Sequence, residues 1–207
     1  MKVLSIDFDI IMYPCIKLYN SYARGNENPT VIWNNLEHDM EIDKFMSYDA
    51  NVLHDIAMLM KRNVDNGAKL FKIDEHDKIV DSLNKLHPDE KFDLVNIDFH
   101  HDISYSTGSN NDMKNFDNYT CANWVGYLSS KNQLDTYEWI RASNSDLCGK
   151  NIEDSLGIQY TISRLSRINE LGSDFSEIYF CLSPQWVPYK YHHLYNLICD
   201  MVSSPEV

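Results

Sequence analysis

Apolar residues fall into two rhythms along the chain. Residues 2–8 (KVLSIDF), 69–73 (KLFKI), 92–99 (FDLVNIDF) and 177–183 (EIYFCLS) are short runs rich in strand formers, and residues 136–142 (TYEWIRA) form a fifth. Short apolar runs of this kind predict strands buried in a parallel sheet. Other segments repeat at helical spacing. Val52, Leu53, Ile56, Leu59 and Met60 predict a helix over residues 50–66, with Gly67 where a C-terminal cap belongs. Ile79, Val80, Leu83 and Leu86 predict a second over 77–87, closed by Pro88. A helix is expected to begin within 121–130, and another occupies 189–202. Ile158, Thr161, Ile162 and Leu165 favour a helix within 153–170. Residues 15–47 carry no clear period, with a break from Asn26 to Pro29. Residues 104–120, rich in Ser, Asn, Asp and Thr, read as a long loop. Strands alternating with helices, without internal repeats, predict an α/β fold with a mainly parallel sheet in one domain, 1–207.

Composition narrows the class of protein. Of 207 residues, 43% are hydrophobic, enough for a real core and too many for a disordered chain. The formal charge of −13 argues against a nucleic-acid or anionic-membrane partner, because phosphates would be repelled. It also raises the expectation of carboxylates clustered around cations. Cys15, Cys121, Cys148, Cys181 and Cys199 are odd in number, widely spaced and lack a CxxC pair. That pattern predicts reduced thiols rather than a disulfide framework or a thiolate zinc site. No apolar run is long enough to span a membrane, and Asp7 and Asp9 interrupt the apolar N-terminus where a secretory signal would be continuous. A cytoplasmic protein is expected.

Candidate chemistry gathers at the ends of the predicted strands. Asp98-Phe99-His100-His101-Asp102 leaves the carboxyl end of the third run, where open α/β sheets bind ligands. In an extended stretch Asp98, His100 and Asp102 would point the same way and converge on one point. Carboxylates with imidazole suit Mn²⁺, Fe²⁺ or Zn²⁺ better than Ca²⁺, which prefers oxygen alone. A solvated polar loop is the plainer alternative. Asp7-Phe8-Asp9 ends the first run in the same manner, and two carboxylates so close repel unless a cation lies between them. Asp74-Glu75-His76-Asp77 follows the second run. His76 there could add an imidazole, or the segment could simply start a helix with Asp74 as its cap. Together the three strand ends could build a site for two metal ions that activates a bridging water.

These motifs resemble the arginase–deacetylase fold, and more narrowly the arginase-like group that includes the peptide arginases. The resemblance implies a three-layer αβα domain holding two Mn²⁺ ions, with Zn²⁺ or Fe²⁺ as alternatives. It implies Asp98 and Asp7 as bridging ligands, His76 and Asp102 completing one ion's shell, and His100 and Asp9 the other's. The implied reaction is hydrolysis of a guanidinium by a metal-activated water, on a cationic small molecule or an arginine within a peptide. The early position of the Asp-x-Asp pair fits the peptide-arginase-like group rather than ordinary arginases. Cys121 to Gly126 loosely resembles an arginase motif in which a proton-transferring His follows two residues after an Asn. Here Val125 stands in its place. Asn123 would orient substrate and His101 would serve in proton transfer or beside the ligands. Glu75, Asp112 and Asp117 are candidates to grip the cationic group, and Ser183-Pro184-Gln185-Trp186 to line the pocket.

Three other readings stay open. Asp7 and Asp9 also resemble the nucleophile and acid/base of haloacid-dehalogenase phosphatases, although Ile11 and the lack of an acidic pair within residues 177–185 depart from that pattern. A single-zinc deacetylase would use Asp98 and His100 as ligands and His101 as base. A third protein would keep the metals as a binding or regulatory module without turnover.

Overall fold

The computed structural model describes residues 1–12, 29–39, 46–103, 118–143, 145 and 157–204. Six strands, β1 (Lys2–Asp7), β2 (Lys69–Ile73), β3 (Phe92–Ile97), β4 (Leu134–Arg141), β5 (Gln159–Arg164) and β6 (Glu177–Cys181), form one all-parallel sheet in the order β2-β6-β1-β3-β4-β5. Burial follows position in that order. Every residue of β6, and all of β1 after Lys2, is buried, whereas the outer strands β2 and β5 are mostly exposed or half-buried. Continuous apolar runs therefore mark the middle of the sheet, because both faces there are covered.

Helices α1 (Pro29–Asp39), α2 (Ala50–Asp65), α3 (Lys78–Leu86), α4 (Trp124–Ser130) and α5 (His192–Ser203) flank it. Alternation along the strands divides the core in two. Leu4, Ile6, Val95, Ile97, Ile178 and Phe180 pack with Trp33 of α1, Ile56 and Met60 of α2, and Ile198 of α5. Val3, Leu94, Tyr137, Trp139 and Tyr179, from the opposite face, pack with Ile79, Val80 and Leu83 of α3 and Trp124, Val125 and Leu128 of α4. Each fully buried aliphatic contributes roughly 1.5–3 kcal/mol of transfer free energy.

Most expected elements form close to their expected bounds. The helix over 50–66 is α2: Asp49 caps its N-terminus, accepting from the backbone N–H groups of Asn51 and Val52, and Gly67 follows it at φ +95°. Two expectations need correction. Within 153–170 the helical pattern gives way to strand β5 followed by a 3₁₀ helix, Leu165–Glu170. As an outer strand β5 buries too little to show a strand's apolar run, so its few apolar residues imitate a helical period. In the region without a clear period, α1 starts at Pro29, a residue whose fixed φ and missing N–H suit a first helical turn. Cys15, Cys148 and residues 104–117 of the expected long loop lie outside the described residues. Among the described residues no helix is long and apolar enough to cross a membrane.

At the amino end of the sheet, Glu177 is buried and accepts from Tyr179 Oη at 2.8 Å, and the His87 ring Nε2 lies 3.0 Å from it. The hydrogen bond to Glu177, helped by Glu90, raises the His87 pKa above its usual value despite partial burial. A raised folded-state pKa stabilises fully below the unfolded value and fades as pH rises through the folded one. His87→Ala should therefore cost about 1.5–3 kcal/mol near pH 6. Denaturant titrations should show that loss shrinking toward alkaline pH.

Candidate metal centre

The carboxyl ends of β1, β2, β3 and β6 are neighbours, so the segments leaving them meet at one place. This lies beside the switch point of the sheet, where the chain leaves β1 for β2 on one side and β3 on the other. Asp7, Asp9, His76, Asp98 and Asp102 are buried there, and the His100 side chain, 19% exposed, is the most open of the six predicted ligands.

Two groups of donor atoms emerge. In the first, Asp7, His76 and Asp98 place one ligand atom each within 4.8 Å of one another; in the second, Asp9, Asp98 and His100 do the same. Asp98 belongs to both. Its Oδ2 lies 3.1 Å from His76 Nδ1 and its Oδ1 lies 3.9 Å from His100 Nδ1. Asp7 Oδ2 is 3.4 Å from His76 Nδ1, and Asp9 Oδ2 is 3.2 Å from His100 Nδ1. Asp102 Oδ2 also reaches His76 Nδ1, at 3.0 Å, but falls outside both groups. The same oxygen accepts from Trp124 Nε1 at 2.7 Å.

Local geometry differs from an extended ligand run. Asp7 caps a 3₁₀ turn, Phe8–Ile11, and its Oδ1 accepts from the Asp9 N–H, so Asp7 and Asp9 serve different groups instead of sharing one face. Asp98 Oδ1 accepts from the His100 N–H at 2.8 Å, folding the chain back, and Asp102 takes φ +50°. Asp98, His100 and Asp102 therefore do not converge on one point: His100 turns toward Asp9, and Asp102 toward His76. Side chains that acidic turns bend back on their own backbone lose the period of two.

Electrostatics give the test of fit for a cation. Burial first, then neighbouring carboxylates, raises the pKa values of Asp7, Asp9 and Asp98. Burial pulls the two imidazoles down, but the carboxylates facing them overcome it: His76 lies well above its usual value and His100 reaches about 10. His76 Nδ1 faces three carboxylate oxygens, while its Nε2 lies 2.6 Å from Ser5 Oγ. An imidazole whose far nitrogen is held by a neutral hydroxyl, with its near nitrogen among carboxylates, suits a divalent cation coordinated by nitrogen and oxygen. The arrangement Ser5–His76–Asp102 resembles a nucleophilic triad, but Ser5 lies mid-strand and fully buried, beyond any substrate.

The expected pocket-lining segment and two unanticipated residues, Ser5 and Trp124, complete the setting. Ser183 Oγ donates to Asp7 Oδ2 at 2.6 Å from a backbone at φ +48°, and Trp186 sets its ring 5.1 Å from that of His100. The SPQW segment thus does border the cluster. Ser5 and Trp124 gave no sequence signal, since one reads as a strand residue and the other as core. Three expected participants stand differently. The backbone N–H of Ile103 donates to His101 Nδ1, and the buried His101 ring packs edge-on to Trp139. Asn123 Oδ1 accepts from Thr120 N and Oγ1 in a local turn. Glu75 is exposed and lies 3.9 Å from Lys78, and Asp74 is not the helix cap, which is Asp77. Asp112 and Asp117 lie outside the described residues.

Comparison of the chain with protein-family models, with curated proteins and with solved structures gave no match. What the structure supports is an α/β protein whose parallel sheet carries a buried His/Asp cluster able to hold metal ions.

Raised folded-state pKa values mean that the metal-free protein gains stability from these groups as pH falls, while protons compete with a metal for the same atoms. Added Mn²⁺ or Zn²⁺ at about 100 times its Kd should raise stability by about 2.7 kcal/mol per site. Thermal melts should show that gain shrinking from about pH 8 to about pH 5.5. Asp98→Asn should abolish the gain yet leave the metal-free protein at least as stable near pH 8, because one buried charge is gone.

Proposed function

We propose that this protein is a hydrolase with two metal ions, of the arginase-like kind, that cleaves a C–N bond of a guanidinium group in a small cationic molecule or a peptidyl arginine. The observation that carries this reading is the Asp98 carboxylate, with one oxygen toward the Asp7–His76 group and the other toward the Asp9–His100 group. A shared carboxylate between two nitrogen–oxygen donor groups is how a protein keeps two ions close enough to act together. Mn²⁺ is the proposed pair, with Zn²⁺ or Fe²⁺ as alternatives of similar ligand preference. When bound, the two ions supply Lewis acidity and a water acidic enough to react near neutral pH.

The chain's own residues supply the rest. Ser5, Ser183 and Trp124 hold His76, Asp7 and Asp102 in place, so the ligands are oriented before an ion arrives. Partial exposure of His100 makes its side the way in, and the Trp186 indole beside it offers a flat face to a planar cation. The negative protein charge draws such a cation inward. Asp7, buried and hydrogen-bonded by Ser183, is badly placed as a phosphatase nucleophile. A three-layer arginase/deacetylase-like architecture belongs to the same proposal and is supported by the parallel sheet with helices against both faces.

A second reading, a metal-binding protein without turnover, is favoured by one observation. Val125, at the position of the proton-transferring His, is fully buried in the core, and His101 is buried too. Metal analysis and assays on arginine, agmatine and arginine-containing peptides separate the readings. Two ions per chain with release of urea is the expected result. Bound metal without product from any of these substrates supports the binding module. Asp98→Ala and His100→Ala should each remove metal and turnover together; full metal occupancy in both variants refutes the site.

A further inference from the structure

Beneath the metal centre the sheet carries a polar residue that the proposed chemistry does not use. Asn96 of β3 is fully buried, on the face that also carries Val3, Leu94, Tyr137 and Tyr179. An amide in such a layer loses its hydration and must be repaid with hydrogen bonds, or it is retained for another reason. Its Nδ2 donates to Asp98 Oδ2 at 3.2 Å and lies 3.4 Å from the Tyr137 hydroxyl, which itself donates to the His101 carbonyl. Asp98 Oδ2 is the oxygen that faces His76. The Asn96 Oδ1, by contrast, is buried with no hydrogen-bond partner among the described residues.

Its neighbour across the ladder is Ser5, the residue whose Oγ lies 2.6 Å from His76 Nε2. For Ser5 to accept from Nε2–H and leave Nδ1 free for a metal, the hydroxyl must send its own proton elsewhere. A buried acceptor lacking a proton and a buried hydroxyl with one to give are adjacent in register. Internal waters occupy places where buried polar groups would otherwise stay unsatisfied.

We propose that Asn96 is a positioning residue of the metal centre: its Nδ2 fixes Asp98 Oδ2, and its Oδ1, through one buried water, takes the Ser5 hydroxyl proton, so that Nδ1 of His76 and Oδ2 of Asp98 present lone pairs to the same ion. This rests on the metal-binding reading of the cluster, and it does not depend on which reaction follows.

The test uses the full chain and Co²⁺ alone, titrated by calorimetry and by its visible absorption. Asn96→Leu replaces the amide by an apolar group of similar size in an apolar layer. A merely structural Asn96 would leave the metal affinity unchanged. The proposal expects the metal-free melting temperature to hold or rise while Co²⁺ affinity falls about 10–100-fold. Asn96→Ser, too short to reach Asp98, should show the same fall and decides the matter if the Leu variant does not fold. Combining Ser5→Ala with either Asn96 variant should weaken binding little beyond the weaker single change, since both break one relay. Affinity within about threefold of the parent in the folded Asn96 variants overturns the proposal, as does full additivity with Ser5→Ala. A parent chain that binds no Co²⁺, Mn²⁺ or Zn²⁺ overturns the metal centre itself, and this inference with it.

Discussion

Four carboxylates and two imidazoles crowd one buried place, and the Asp98 carboxylate stands between the two halves of the crowd. Burial penalises each carboxylate charge and the neighbouring negative charges add to the penalty. The same crowding raises the pKa values of the two imidazoles and of Asp7, Asp9 and Asp98, so the cluster favours bound protons. A divalent ion would take their place with a fixed geometry and would release those protons. The rest of the structure can be understood as what holds this arrangement together. Three of the strands that feed it, β1, β3 and β6, are the most deeply buried in the sheet, and side chains of Ser5, Ser183, Asn96 and Trp124 reach its imidazole and carboxylates.

The two halves are built differently. Around His76 the neighbours are side chains: Ser5 on its far nitrogen, Ser183 on Asp7, Trp124 on Asp102. On the other half, backbone N–H groups of Phe99 and His100 approach Asp9 and Asp98, and the His100 ring is partly open beside Trp186. Side chains from distant elements make one half an internal feature of the fold. The other half is made by a tight turn at the strand end, close to solvent. A reaction that needs both a firmly held ligand set and an entrance is served by this division.

The chemistry-bearing motifs were legible because ligand-forming residues are rare at the ends of apolar runs. Asp7, Asp9, His76, Asp98, His100 and Asp102 could be selected on that basis, and the structure brings all six together. Their partition did not follow from spacing: the resemblance implied both Asp98 and Asp7 between two ions, whereas Asp98 belongs to both donor groups and Asp7 only to that of His76. Alternation suggested shared faces, whereas the hydrogen bonds that Asp7 and Asp98 accept from the backbone N–H two residues on turn the chain and send successive side chains to different groups. Ser5 and Asn96 escaped notice for another reason. Single polar residues inside strands look like ordinary interruptions until the register places them side by side under the site.

Strands β1, β2, β3, β4 and β6 and helices α2 to α5 followed from the spacing of apolar residues that packing imposes on the residue choice. The outer strand β5 and helix α1 did not, since one buries little and the other begins after a stretch without pattern. By itself the sequence determined the class of fold, the direction of the charge and the residues that gather at the candidate metal centre, all properties that composition and local spacing encode. Only the tertiary structure decided that β2 and β6 join β1 and β3 in one order, that Asp7 and Asp9 serve different groups, and that Ser5, Ser183, Asn96 and Trp124 stand behind them. Those depend on contacts between residues up to 176 positions apart, and no local pattern carries information across that distance.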